Sequence, residues 1–217
     1  MLQSAREGRR LFLKDGPREA VVEASGPEAA LAEAFARVEA TFAEAGEAGD
    51  GPLADALAAR LPGAGLTKAV VIVGAVKALY LTPGPRLVIK VPGIAEDAMI
   101  SARAGVGGMA SAGWRGRAGS AGIADAVTVL AASAAAAEAA AVEIADAVIV
   151  EAEGILTAPL QGRLVTRAVP ELTEAARTTA LASGRARAEA LLAAGRIASA
   201  TLVLQGRAVQ VGRPVEL

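Results

Sequence analysis

A chain that is 53% apolar but only 2% aromatic must build its interior from alanine, valine, leucine and isoleucine. Side chains of that size let helices and sheets approach closely. Each one removes less area from water than a ring does, at roughly 25 cal/mol per Å² of apolar surface. A core of this kind gains from being broad, and a homo-oligomer is one way to broaden it. The 217 residues suit one domain, or one compact pair of subdomains sharing a core, with the glycine-rich stretch 46–65 as the place for an internal junction.

Periodicity gives an α+β reading. Arg10–Lys14 and Glu19–Ala24 alternate as strands joined by the turn Asp15-Gly16-Pro17. Ser25-Gly-Pro-Glu28 has the spacing of a capping box, with Pro27 in the first helical turn. The stripe Leu31, Phe35, Val38 and Phe42 then marks one face of a helix. A short second helix is predicted from Leu53 to Leu61. Lys68–Gly74 is a dense β-branched run with a bulge at Gly74, and Lys77–Leu81 and Arg86–Val91 form a hairpin about Thr82-Pro-Gly-Pro85. Ala126–Leu130 is a strand feeding an alanine-rich helix, Ala134–Ala147. Gly162–Val169 is a strand, Leu172–Ala194 a long helix stopped by Gly195, and the end is a hairpin turning at Gln205-Gly206. Strands and helices follow no regular βαβ period, which favours α+β over α/β.

The missing residue types bound the chemistry. There is no cysteine, histidine or asparagine. That excludes Ser-His-Asp and Cys-His catalysis, zinc sites built on His or Cys, Fe–S clusters and haem held by those side chains. A metal would have to be a hard, oxygen-bound ion such as Mg²⁺. Chains of this length rarely lack His and Asn together, which leaves a designed sequence as an open reading. The net charge of −1 and a pI near 5.7 give no basic field for nucleic acid. The longest uncharged stretch of the alanine-rich region, Ala126–Ala137, has 12 residues, short of the roughly 20 that span a bilayer. No partner membrane is therefore expected, and a cytoplasmic location is the default.

One loop concentrates groups suited to a phosphorylated cofactor. Gly113, Gly116 and Gly119 can turn backbone amides toward an anion, and Arg115 and Arg117 can form charge-assisted bonds to phosphate. Ser120 closes the loop, and Trp114 offers a stacking face. The same spacing also fits a tight turn in which Trp114 plugs the core and both arginines stand in water. Asp125 lies in an apolar setting, where an unpartnered carboxylate is costly; it either orients a loop amide, caps a turn or ligates Mg²⁺. Glu138, Glu143 and Asp146 share the alanine-rich helix, where carboxylates ordinarily serve solvation. Lys77, in the run Val76–Leu81, either reaches a phosphate or faces outward from a strand.

The stretch from Gly107 to Leu130, with Gly113-Trp-Arg-Gly-Arg-Ala-Gly-Ser120 at its centre, closely resembles the ApbE-like proteins, distant relatives of flavin transferases. The tail Gly162–Gly212, with Arg167-Ala-Val-Pro170 and the closing hairpin, resembles them too. The resemblance implies an α+β, T-fold-related architecture of mixed sheets packed with helices, FAD or FMN as cofactor, Mg²⁺, and transfer of FMN to a protein Thr or Ser with release of AMP. It sets Ala137-Glu138-Ala-Ala-Ala-Val142 in place of the family's Ala-Asp-Ala-Ala-Ala-Thr. Glu138 then stands for one metal-binding residue, and Val142 cannot replace the other. Likewise Ile72-Val-Gly-Ala-Val76 stands where the family has Asn-Asn-Gly-Gly-Asp. Two functions follow: an ApbE-type flavin transferase, or a non-catalytic structural, oligomerising or ligand-binding protein on the same fold.

Overall fold

The computed structural model describes residues 2–63, 65–90, 98–116, 119–160 and 162–212. Nine strands join in one sheet: β1 (Gln3–Glu7), β2 (Arg10–Asp15), β3 (Arg18–Ser25), β4 (Lys68–Val73), β5 (Val76–Leu81), β8 (Gly108–Ala112), β9 (Ala126–Ala131), β12 (Ser199–Leu204) and β13 (Arg207–Gly212), in that spatial order. Every pairing is antiparallel. Two hairpins stand apart, β6 (Arg86–Ile89) with β7 (Ala98–Ser101), and β10 (Leu156–Leu160) with β11 (Arg163–Ala168). The helices are α1 (Glu28–Glu44), α2 (Asp50–Ala58), α3 (Ala134–Ala147) and α4 (Glu174–Ala193). The class is α+β.

One apolar cluster extends from Leu11 of β2 to Val211 of β13 and takes in all four helices. The α1 stripe Leu31, Phe35, Val38 and Phe42 is buried in it, as are Leu53, Ala54 and Leu57 of α2. On α3, small side chains set how close the layers come. On α3 the buried face is Ala134, Ala137, Ala140, Ala141, Ile144 and Ala145. A Cβ on Gly108 would lie 2.2 Å from both the Ser133 carbon and the Ala134 nitrogen. Strand β8 and the start of α3 therefore meet backbone to backbone, a contact only glycine permits. On the other sheet face, Ile100 and Val106 pack with Leu79, Met109 and Leu130, so the β6–β7 hairpin covers the middle of the sheet.

Several local expectations are corrected. Gly74 is not a bulge; with φ of 56° it begins a two-residue turn that pairs Val73 with Val76, so β4 and β5 are the hairpin. Strand β5 then continues the large sheet while β6 pairs with β7, so the turn at residues 82–85 passes between sheets. No capping box forms: Pro27 is the N-cap of α1, without a side-chain cap, Ser25 remains in β3, and Glu28 binds Arg6 at 2.6 Å. Helix α4 starts after Thr173, whose hydroxyl accepts from the Ala176 N–H, two residues later than the pattern suggests. Strands β1, β7 and β10 have no counterpart in the sequence reading.

Candidate functional site

Strand β9 brings Asp125 to one end of the sheet, where two other chain segments converge on it. The Asp125 N–H donates to the Val203 carbonyl of β12, which fixes the direction of the side chain. Its Oδ1 accepts from the Trp114 indole N–H and from Arg115 Nε, both at 3.1 Å, and its Oδ2 accepts from the Gln205 N–H at 2.5 Å. The Arg115 guanidinium lies over the Trp114 ring, 4.4 Å from its centroid, in cation–π contact. Gly113 is required here by close contact: a Cβ on it would fall 2.5 Å from the Asp125 carbonyl oxygen. Gly116 donates its N–H to the Gly113 carbonyl, and Gly119 donates to Gly116, so these amides serve the loop itself. Arg117 lies outside the described residues.

Ser120 belongs to a second, adjoining knot. It is buried, and its hydroxyl donates to Asp146 Oδ1 at 2.8 Å while accepting from the Gly122 N–H. Asp146 also accepts from the Ala121 N–H and from Arg163, whose NH2 lies within 3 Å of both carboxylate oxygens. The Ser120 carbonyl accepts from the Thr166 N–H of β11.

Glu138 is elsewhere. It lies near the start of α3, whereas Asp125 lies near its end, because Ile123 donates to the Val148 carbonyl just beyond α3. At about 1.5 Å of rise per residue, the eight residues from Glu138 to Asp146 place the two carboxylates on the order of 12 Å apart. Glu138 Oε2 accepts from the Gly51 N–H in the first turn of α2 at 3.0 Å. Helix α2 answers in kind: Asp55 accepts from the Ala134 and Ala135 N–H groups at 2.8 and 2.9 Å. Each helix thus caps the other through a carboxylate, which satisfies amides that no helix can satisfy internally. Burial pushes the Glu138 carboxyl above its ordinary value; the Gly51 hydrogen bond opposes that, and the negative charge of Asp50 adds to it. Glu143, the third carboxylate of α3, pairs with Arg187 and Arg196. Lys77 is half-buried on β5, opposite Met109.

The loop residues Gly113, Trp114, Arg115 and Gly116 are therefore brought together with Asp125, while Ser120 and Glu138 each serve a different cluster. Among the described residues no group of three or more His, Cys, Asp or Glu is placed to hold a metal ion. The ApbE-like resemblance implies Mg²⁺, but the two carboxylates offered for it, Asp125 and Glu138, are separated, and each is already engaged by hydrogen-bond donors of the chain. The donor set does not fit that ion. No helix among the described residues is long and apolar enough to cross a membrane.

A family model described as AbpE bacteria matches residues 45–210, from the segment before α2 into β13. The chain belongs to this bacterial family. No curated protein matches the chain. The AbpE match contains the Asp125 knot, the Ser120–Asp146 knot and the α2–α3 caps, while β1 to β3 and α1 lie outside it.

Sequence reasoning missed Gln205 and Asp55. Gln205 has a φ of 45°, the left-handed region, which is uncommon for a residue with a side chain. Its side chain repays that cost through two bonds: Nε2 donates to the Pro170 carbonyl at 2.6 Å, and Oε1 accepts from the Leu172 N–H at 3.0 Å. The turn dipeptide Gln205-Gly206 was a visible signal, since glycine is the usual residue there and glutamine is not. Asp55 carries no local signal, because the helix it caps lies 79 residues away.

Proposed function

We propose that this AbpE protein is a non-catalytic scaffold related to the ApbE-type flavin transferases, in which the 113–125 region holds the fold together rather than performing transfer. The observation that carries this reading is the engagement of Asp125: both of its oxygens accept from fixed donors on two loops. A transferase would need a carboxylate free to meet a metal on the cofactor's pyrophosphate, where the ion polarises phosphate oxygens. The separated position of Glu138 and the presence of Val142 support the same reading. Incubation of the protein with FAD and Mg²⁺ tests it. No AMP above the protein-free rate is expected; AMP accumulating in proportion to protein would overturn the proposal.

One observation favours a narrower reading, in which flavin is bound without being transferred. Arg115 remains 66% exposed above Trp114, so a charged side chain is largely open to water beside an aromatic ring. Titration with FAD or FMN, followed by emission of the single tryptophan, tests it. Saturable quenching that weakens in Arg115→Ala supports the reading, and no quenching up to millimolar flavin removes it.

A further inference from the structure

The β6–β7 hairpin forms a cleft that the sequence reading passed over. Strand register places Arg86 opposite Ser101 and Val88 opposite Met99 on one face, with Leu87 and Ile100 on the other. Ile100 is fully buried in the second apolar cluster, with Leu87 packed against that cluster, so this face anchors the hairpin to the sheet. The opposite face opens on a cavity of about 450 Å³, within the range of small-molecule sites. Its lining includes Pro83, Gly84, Arg86, Met99, Ser101 and Arg103.

Two features set this cleft apart. Ser101 Oγ is shielded from solvent and has no hydrogen-bond partner, a condition that native proteins seldom leave unexplained. Neither Arg86 nor Arg103 has an ion-pair partner among the described residues, whereas Arg10 pairs with Glu23 and Arg207 with Glu174. Two arginines and a serine with an unpartnered hydroxyl line one cavity, a donor set without an acceptor among the described residues. Guanidinium forks match phosphate oxygens, and a hydroxyl supplies a third donor. The apolar Met99 and Pro83 beside them offer contact to an organic group.

We propose that this cleft binds a small phosphorylated molecule, with Arg86 and Arg103 pairing with the phosphate, Ser101 Oγ donating to it, and Met99 against its organic part. The site is separate from the Asp125 knot and does not depend on the scaffold reading. Calorimetric titration of the full chain with pyrophosphate and with AMP tests it. Saturable binding of one equivalent, weakening as salt rises, is expected. Arg86→Ala with Arg103→Ala should weaken it at least tenfold. Ser101→Ala should weaken it several-fold while leaving the ligand-free melting temperature unchanged or higher, since an unpaired buried hydroxyl is lost. Should the double variant fail to fold, Arg103→Ala alone, on an exposed turn, carries the same expectation. No saturable heat with either probe at millimolar concentration, equal affinity in the arginine variants, or a lowered ligand-free melting temperature in Ser101→Ala would each overturn the proposal.

Discussion

Asp125 accepts from an indole, a guanidinium and a backbone amide, whereas Arg86, Ser101 and Arg103 face a cleft with no side-chain partner among the described residues. Both regions contain arginine, small residues and a loop with glycine, and by composition the first is the richer. The difference lies in saturation. In the first region both oxygens of Asp125 are satisfied by neighbouring donors, and a ligand seeking that carboxylate would have to replace bonds already made. In the second a ligand would complete bonds not yet made. Residue types concentrated in a loop mark where polar chemistry is present, and the bonding around them decides whether it faces inward or outward.

The sharpest way to break this comparison is Asp125→Ala. It strands the Trp114 indole N–H and the Gln205 N–H, and removes an acceptor of charge-assisted bonds, so a loss of about 2–3 kcal/mol in urea unfolding is expected. Trp114 emission reports it directly; a change within about 0.5 kcal/mol would show that the knot is not structural. Arg115→Ala should cost less, about 0–1 kcal/mol, because that side chain is largely exposed and its ion pair is screened by water.

Glu138→Gln probes the carboxylate that caps α2 and gives a trend with pH. The folded carboxyl titrates above its unfolded value, so its contribution to stability is fully present below the ordinary carboxylate range and is lost as pH rises through the folded value. Glutamine keeps an acceptor for the Gly51 N–H and removes the buried charge. Compared with the variant, the wild-type protein should therefore lose stability as pH is raised from about 4 toward neutrality. Parallel melting curves across that range would contradict the placement. The smallest effect on stability is expected for Arg86→Ala with Arg103→Ala, within about 0.5 kcal/mol, since neither side chain holds the hairpin in place. A large destabilisation would move the cleft into the same class as the knot.

Elements with strong local patterns were legible in the sequence. The Leu31, Phe35, Val38 and Phe42 stripe, the alanine helix after Ser133 and the Gln205-Gly206 hairpin are all present. Gly74 misled because a glycine within a β-branched run fits a bulge and a two-residue turn equally well; what separates them is whether Val76 returns to Val73, a non-local fact. Strand β1 is exposed at every position and so shows no alternation to detect. At the site, the gathering of Trp114, Arg115 and Asp125 was legible from their proximity in the chain. Their mutual saturation was not, because it depends on Gln205, 80 residues on. Ser120 gave no sign that Asp146 would claim its hydroxyl. The Arg86 cleft was invisible because its donors approach one another only through the β6–β7 register.

The crossed capping of α2 and α3 has a consequence for how the molecule opens. The amides of Ala134 and Ala135 are protected by Asp55, and that of Gly51 by Glu138, so neither helix end can fray while the other stays docked. The two helices should therefore behave as one cooperative unit in hydrogen exchange, with these three amides sharing a single opening free energy. Replacing Asp55 would then speed exchange at Gly51, an amide it does not touch, and the pair would open as a hinged block from the face of the sheet that it covers.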